Sequence, residues 1–287
     1  MDELKIKAYA KINLSLDVLN KRPDGYHNVK MVMQQITLYD EIILQKIDKG
    51  IILTTDCSFL PNDISNIAYK AADSMIKKYG IEGGINIKIQ KNIPIAAGLA
   101  GGSSDAAAVI KGMNILYDLN LPLEELMEIG AGIGADVPFC ILGDGALAEG
   151  IGEKLTKIKG LRSGWIVLSK PNICVSTADA YGNLRLDNIK DRPNTDELLD
   201  ALERDNLYDV ANNLCNVFEQ GIFYKNPIVK IIREKMLEYG AIGSLMSGSG
   251  PSVYGVFKDY NKARSAYEKL KLLYNQTYLV RTYNGRQ

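Results

Sequence analysis

From Leu4 the chain alternates strictly. Leu4, Ile6, Ala8, Ala10, Ile12, Leu14, Leu16 and Val18 fall on one face, and Lys5, Lys7, Tyr9, Lys11, Asn13, Ser15 and Asp17 on the other. A period of two predicts a strand over 4–18. Similar runs predict strands over 28–47, 51–55 and 85–92, the last with Ile85, Ile87 and Ile89 facing one way and Asn86, Lys88 and Gln90 the other. The period then changes to that of a helix: Ala106, Val109, Ile110, Met113, Leu116 and Tyr117 form a single stripe, predicting a helix over 104–118. Further helices are expected near 65–79 and 122–130, and an apolar strand near 138–148. In the second half, helices dominate 195–239, followed by a strand and loop over 241–257, a helix over 260–274 and a strand over 277–282. This mixture lacks a regular βαβα series and predicts an α+β fold in two lobes. The Gly- and Lys-rich GIGEKLTKIKG, residues 150–160, is the quietest stretch, and it divides the chain into expected domains of 1–155 and 156–287. No internal repeat is visible.

Charge narrows the function classes. Lys and Arg number 34 and Asp and Glu 34 among 287 residues, so no global field recruits nucleic acid or a membrane, and an anionic ligand must be captured locally. Cys57, Cys140, Cys174 and Cys215 are widely spaced and share the chain with one histidine; they read as reduced core thiols, with no zinc site or disulfide frame. The opening MDELKIKAYAK holds two acids and is punctuated by lysines, so no secretory leader is expected, and no apolar run approaches the length of a membrane helix. A soluble, cytoplasmic protein is expected.

Five stretches have the residue types for chemistry. The first is PIAAGLAGGSSDAAAVI, residues 94–110, where a predicted strand passes through a glycine loop into a helix. Gly98, Gly101 and Gly102 fit a tight turn. They also fit an anion site, in which glycine-thin walls and the first N–H groups of the helix enclose a phosphate. Ser103, Ser104 and Asp105 are capping types for that helix. The spacing matches neither a Walker A loop nor a G-x-G-x-x-G dinucleotide loop. The second is Lys11 beside Asn13 on the polar strand face, either solvated or lining a cleft. The third is GAGIGADVPFCI, residues 130–141. Its Asp136, in a turn before the apolar strand, is either an Asx-turn residue or a partly buried carboxylate for which Lys11 is a suitable partner. The fourth is KRPDGYHNV, residues 21–29: Asp24-Gly25 signals a hairpin turn, and Tyr26 and His27 are either incidental to its tip or able to hold a planar base. Lastly, Ser247, Gly248, Ser249 and Gly250 join two apolar segments, as a hairpin turn or as the opposing wall of a phosphate loop.

Taken together, AKIN (10–13), PDGYH (23–27), PIAAGLAGGSSDAAA (94–108), GADVPF (134–139) and SGSGPS (247–252) resemble, in order and over nearly the whole length, the GHMP kinase superfamily. Within it the chain is most similar to the 4-diphosphocytidyl-2-C-methyl-D-erythritol kinases. The resemblance implies an N-terminal lobe like ribosomal protein S5 domain 2 and a C-terminal ferredoxin-like lobe. It implies ATP-dependent phosphorylation of the 2-hydroxyl of CDP-methylerythritol in non-mevalonate isoprenoid synthesis, with ATP and Mg²⁺ as cofactors. By position, Lys11 and Asp136 would be catalytic. Pro94, Ile95, Ala96, Ala97, Gly98, Leu99, Ala100, Gly101, Gly102, Ser103 and Ser104 would cradle the ATP phosphates. Asn13, Tyr26 and His27 would contact the substrate, the latter two at cytosine, and Tyr181 in STADAY would form a second aromatic wall. No protein carboxylate is assigned to the metal. The expected partner is the small-molecule substrate, without nucleic acid or membrane, and a homodimer is left open. Ala100 stands where many members have glycine; alanine resists a positive φ, which raises the question whether the loop takes one there. A homoserine or mevalonate kinase would share the loop but has no need of PDGYH. A binding module without turnover would not need Lys11 and Asp136.

Overall fold

The computed structural model describes residues 2–285. Two strands dominate its first part: β1 (Glu3–Lys21) and β2 (His27–Ile47) are sheet neighbours joined by a turn at Asp24-Gly25. Gly25 takes φ +89°, and Arg22 N–H donates to Tyr26 O at 2.8 Å to close the turn. The chain continues through β3 (Gly50–Thr55), α1 (Ile67–Tyr79), β4 (Gly84–Gln90), α2 (Gly101–Leu116), α3 (Leu123–Ala131) and α4 (Val137–Leu142). Then come β5 (Gly145–Glu149), β6 (Lys154–Ile158), β7 (Trp165–Lys170), α5 (Thr177–Asn183), a 3₁₀ turn at Leu186–Asn188, α6 (Thr195–Glu203), α7 (Leu207–Asn212) and β8 (Cys215–Asn216). The last elements are α8 (Glu219–Lys225), α9 (Pro227–Glu238), β9 (Gly243–Met246), β10 (Val253–Phe257), α10 (Tyr260–Leu273) and β11 (Gln276–Val280).

The chain forms two compact units that interleave along the sequence. Among the described residues, the first holds 2–10, 38–95 and 100–143, the second 11–37, 96–99 and 144–285. In the first unit, β4 pairs antiparallel with the end of β2 (Ile42 opposite Ile89, Leu44 opposite Ile87) and parallel with β3. Helix α1 begins at Asn66, whose side chain accepts from Ala68 N–H, a cap worth about 1 kcal/mol. It buries Ala68, Ala71, Ala72 and Met75, and the three alanines let α2 approach closely. Helix α2 is the centre of this core, with Ala106, Ala107, Ala108, Val109, Ile110 and Met113 all buried. In the second unit, the start of β2 pairs with β5, β5 pairs with β6, and β1 meets β8 in parallel at Ser15 and Leu16. A separate antiparallel sheet runs β11-β7-β10-β9, with α9 and α10 packed on it. Its core residues Val167, Leu168, Tyr254, Val256 and Phe257 are fully buried.

Four expectations change. The apolar run at 138–148 is not one strand: VPFCIL forms α4, and β5 starts only at Gly145. Pro138 lies in the first turn of α4, where its missing N–H costs nothing, and the run is apolar because α2 and α3 cover it. Helix α2 starts at Gly101, earlier than the apolar stripe indicated, with no side-chain cap. The quiet stretch at 150–160 contains β6, hairpinned to β5 through Gly150 and Gly152 at positive φ, and the short β7 gave no alternation to detect. Of the cysteines only Cys140 is a core thiol; Cys174 is exposed and Cys57 and Cys215 lie between.

Candidate active site

The polar face of β1 is solvated at Lys5 and Lys7 but not from Lys11 onward. Lys11, Asn13, Ser15 and Asp17 are all buried, Asn13 completely. Within the second unit Lys11 Nζ donates to Asn13 Oδ1 at 2.8 Å, and Lys11 N–H donates to Leu99 O at 3.1 Å, joining the strand to the glycine loop. Asn13 is held from every side: its N–H donates to Ser247 Oγ, its carbonyl accepts from Tyr254 O–H at 2.9 Å, and its Nδ2 lies 3.3 Å from Met31 Sδ.

The loop of 94–104 gives residues 96–99 to the second unit and its two ends to the first. At Gly98, φ is +72° and a Cβ would lie 2.1 Å from Ser247 O. Ser247 Oγ donates to Gly98 O at 2.9 Å, and a Cβ on Gly248 would meet Gly98 O at 3.0 Å. The SGSG turn between β9 and β10 therefore packs backbone to backbone on Gly98, as an opposing wall would. Ala96 and Ala100 take φ of +49° and +56°, so position 100 is left-handed although it carries a methyl group. At Gly101 the absent side chain makes room inward: a Cβ would stand 3.1 Å from Ile93 Cγ2 and 3.4 Å from Lys91 Nζ.

Ser103, Ser104 and Asp105 do not cap α2. Ser104 Oγ donates to Tyr9 O at 2.6 Å and lies 3.4 Å from Cys140 Sγ, and its N–H closes the first helical bond on Ala100 O. Asp105 is turned to Lys91. The N–H groups at the start of α2 thus have neither a side-chain cap nor an intrahelical acceptor, and Ser103 alone of the three is partly exposed.

Asp136 stands at the N-terminus of α4 in the first unit, half-buried, with φ −85° and ψ −10°; its carbonyl accepts from Cys140 N–H at 3.1 Å. Its carboxylate does not cap the helix. The far end of α4 is held by Lys111 Nζ, which donates to Cys140 O at 3.2 Å; burial lowers that amine's pKa.

At the turn of the β1–β2 hairpin Tyr26 is 62% exposed. His27 and Tyr181 come together in the second unit with ring centroids 5.2 Å apart and planes inclined 34°. Tyr181 meets Phe218 edge-on at 4.8 Å. Phe218 was missed, as was Asn216, whose Nδ2 donates to Met246 O and Gly248 O, both at 2.8 Å, while its Oδ1 accepts from Phe218 N–H. Neither carries a periodic signal; only the two-residue strand between helices places them. A cavity of about 680 Å³ between α5 and α8 shares Phe218 and is otherwise lined by residues such as Val175, Leu184, Ile189 and Ile222. Among the described residues no three His, Cys, Asp or Glu side chains cluster so as to hold a metal ion, and no helix is long and apolar enough to cross a membrane.

The chain matches the GHMP kinases N terminal domain over residues 66–144 and the GHMP kinases C terminal domain over 194–276. It is 56% identical to the 4-diphosphocytidyl-2-C-methyl-D-erythritol kinase of Alkaliphilus oremlandii, covering 99% of this chain and 98% of the relative. With that of Acetivibrio thermocellus the identity is 53%, over 94% and 96%. The chain belongs to the GHMP kinases, in the 4-diphosphocytidyl-2-C-methyl-D-erythritol kinase family. A solved 4-(cytidine 5'-diphospho)-2C-methyl-D-erythritol kinase superposes with a TM-score of 0.86 at 32% identity, covering 98% of this chain and all of that one. Homoserine kinase from Cytophaga hutchinsonii shares the fold, with a TM-score of 0.79 at 19% identity over 99% and 96%. The expected α+β two-lobe GHMP kinase fold is therefore the fold of this kinase.

Proposed function

We propose that the chain transfers the γ-phosphoryl group of ATP to the 2-hydroxyl of 4-diphosphocytidyl-2-C-methyl-D-erythritol, a step of non-mevalonate isoprenoid precursor synthesis. The observation that carries this reading is the His27–Tyr181 ring pair at 5.2 Å. A planar base is recognised by stacking and by a hydrogen bond at its edge, and an acceptor without a base gives such a pair nothing to do. Full-length relatives named for this substrate support the same reading.

Phosphoryl transfer has a loose transition state, so positioning and charge stabilisation supply most of the acceleration. In this reading the 94–104 loop and the first N–H groups of α2 cradle the phosphates. Lys11, fixed by Asn13, offers its ammonium to the reacting oxygens, and Asn13 orients the substrate. A carboxylate is too weak a base to strip an alcohol in advance. Asp136 therefore orients the hydroxyl and accepts its proton late, as the oxygen–phosphorus bond forms and ADP departs. Tyr26, at the exposed turn, closes over cytosine, with His27 at its edge and Tyr181 as the second wall. Ser103, with the phosphates themselves, would hold Mg²⁺; a divalent cation held mainly by phosphate oxygens and water needs no carboxylate cage. When bound, the ion neutralises phosphate charge. A cytoplasmic enzyme is the setting this substrate implies, and a homodimer remains part of the proposal.

An ADP-release assay offering CDP-methylerythritol, methylerythritol phosphate, homoserine and mevalonate tests the reading. Turnover is expected with the first alone, and Tyr181→Ala should raise KM for it about tenfold or more while leaving KM for ATP nearly unchanged. Asp136→Asn should lower kcat by roughly 10² to 10⁴ with nucleotide binding intact. Equal use of acceptors with and without the cytidyl group would sink the assignment.

A further inference from the structure

Behind the glycine loop, in the first unit, three charged side chains meet away from solvent. Lys91 Nζ donates to Asp40 Oδ2 at 2.5 Å and to Asp105 Oδ2 at 2.8 Å. The side chains are 8%, 0% and 3% exposed. Asp40 reaches further: its Oδ1 accepts from Asn92 N–H at 2.5 Å and from Ile93 N–H at 2.8 Å, the two residues that lead into Pro94. Asp105 lies in the second turn of α2, just beyond the other end of the loop. One ammonium thus ties the chain entering the loop to the helix leaving it.

Packing alone does not account for this arrangement. Two carboxylates share one cation, and Asp105 Oδ1 is buried with no hydrogen-bond partner. Burial drives the Asp105 carboxyl well above the usual carboxylate range, against the pull of Lys91 and with the push of Asp40. Burial also works against the charge on Lys91, but Asp105 and Asp40 outweigh it and raise its pKa. An apolar trio of similar volume would hold the same elements together at least as well. What apolar groups would not do is specify direction. The bond from Lys91 to Asp105 is directional and falls one turn into α2, the helix whose first turn carries the N–H groups of Gly101, Gly102 and Ser103.

We propose that Asp40, Lys91 and Asp105 form a buried clamp that holds the two ends of the 94–104 loop at the spacing nucleotide phosphates require, making Lys91 and Asp105 positioning residues for ATP. The proposal rests on the reading of that loop as the phosphate cradle. The full-length kinase is assayed as wild type, Asp105→Ala and Asp105→Asn, with four readouts: KM for ATP, kcat at saturating ATP, melting temperature, and hydrogen exchange of peptides spanning 94–104 with and without ADP. Asp105→Ala releases α2 from Lys91. KM for ATP should rise about tenfold or more, kcat at saturation should stay within about threefold, and ADP should protect the loop peptides less. Asp105→Asn keeps an oxygen for Lys91 and removes the surplus carboxylate, so KM for ATP should stay within about twofold of wild type. If Asp105→Ala fails to fold, Asp105→Ser, too short to reach Lys91, is measured in its place with the same expectation. A lowered melting temperature with KM for ATP unchanged would reduce the clamp to a structural element and overturn the proposal. If ADP gives no protection to 94–104 in the wild type, the cradle reading itself fails. Protection in the wild type with unchanged affinity in the alanine variant defeats the clamp alone.

Discussion

Residues 94–104 and 247–252 are both short runs of small residues between apolar segments, yet their backbones meet different demands. The first loop is left-handed at Ala96, Gly98 and Ala100, so two of its three positive φ angles are carried by alanine. The second is left-handed at Gly248 and Gly250, where glycine makes the conformation easy. A positive φ costs an alanine about 1–2 kcal/mol, which a well-packed fold can absorb. At Gly98 no such trade exists: the space a Cβ would need is already occupied by Ser247 O at 2.1 Å. In this molecule, backbone meeting backbone is what requires glycine most strictly, and handedness alone is the weaker demand.

The largest test of that contrast is Gly98→Ala. It adds a clash with main chain that no rotamer can relieve, and unfolding in urea should reveal a loss of about 3 kcal/mol or more. A loss below about 1 kcal/mol would mean that the two loops can separate freely and that their contact is incidental.

An intermediate effect is expected at the base of the second loop. Glu219 Oε1 accepts from Met246 N–H at 2.8 Å, with Arg233 Nε 3.5 Å from Oε2. Burial pushes this carboxyl up from 4.5 to about 7, even though Arg233 and the Met246 N–H both pull it down. Because the folded state binds this proton more tightly than the unfolded chain, its contribution is fully present below about pH 4.5 and is lost as pH rises through about 7. From pH 5 to pH 8 the wild type should therefore lose about 2 kcal/mol relative to Glu219→Gln. Parallel pH profiles of melting temperature for the two proteins would show that the group does not titrate in this range.

Ala100→Gly should have the smallest effect. It relieves the left-handed alanine but adds backbone freedom to the unfolded chain, so stability should rise by no more than about 1 kcal/mol, read as the urea midpoint. A clear loss would mean that the Ala100 methyl group is itself packed, and that handedness is not what distinguishes this position.

Much of the site could be read along the chain. The alternation of β1 put Lys11 and Asn13 on one face, and the change of period at Ala106 put the glycine loop ahead of a helix. The ordered motifs carried the family. Burial of the polar face of β1 from Lys11 to Asp17 was not legible, because alternation ordinarily marks a strand with one face in water, and a strand covered on both faces is ordinarily a continuous apolar run. Nor was α4: VPFCIL is too short and too uniformly apolar for either period to register, and only the cover from α2 and α3 makes it a helix.

By itself the sequence determined which residue types are available for chemistry, the face that each side chain of the early strands takes, and the glycines and serines that allow a thin loop ahead of α2. These are local properties, set by side-chain period and backbone sterics within a few residues. Tertiary structure decided how those residues are employed. It spent the Ser104 hydroxyl on Tyr9 O and the Asp105 carboxylate on Lys91, seated the turn at Gly248 on Gly98, and brought Tyr181 to His27 with Phe218 behind it. Each of these contacts joins groups distant along the chain, and no local pattern encodes which distant partner a polar or aromatic side chain will meet once water is excluded.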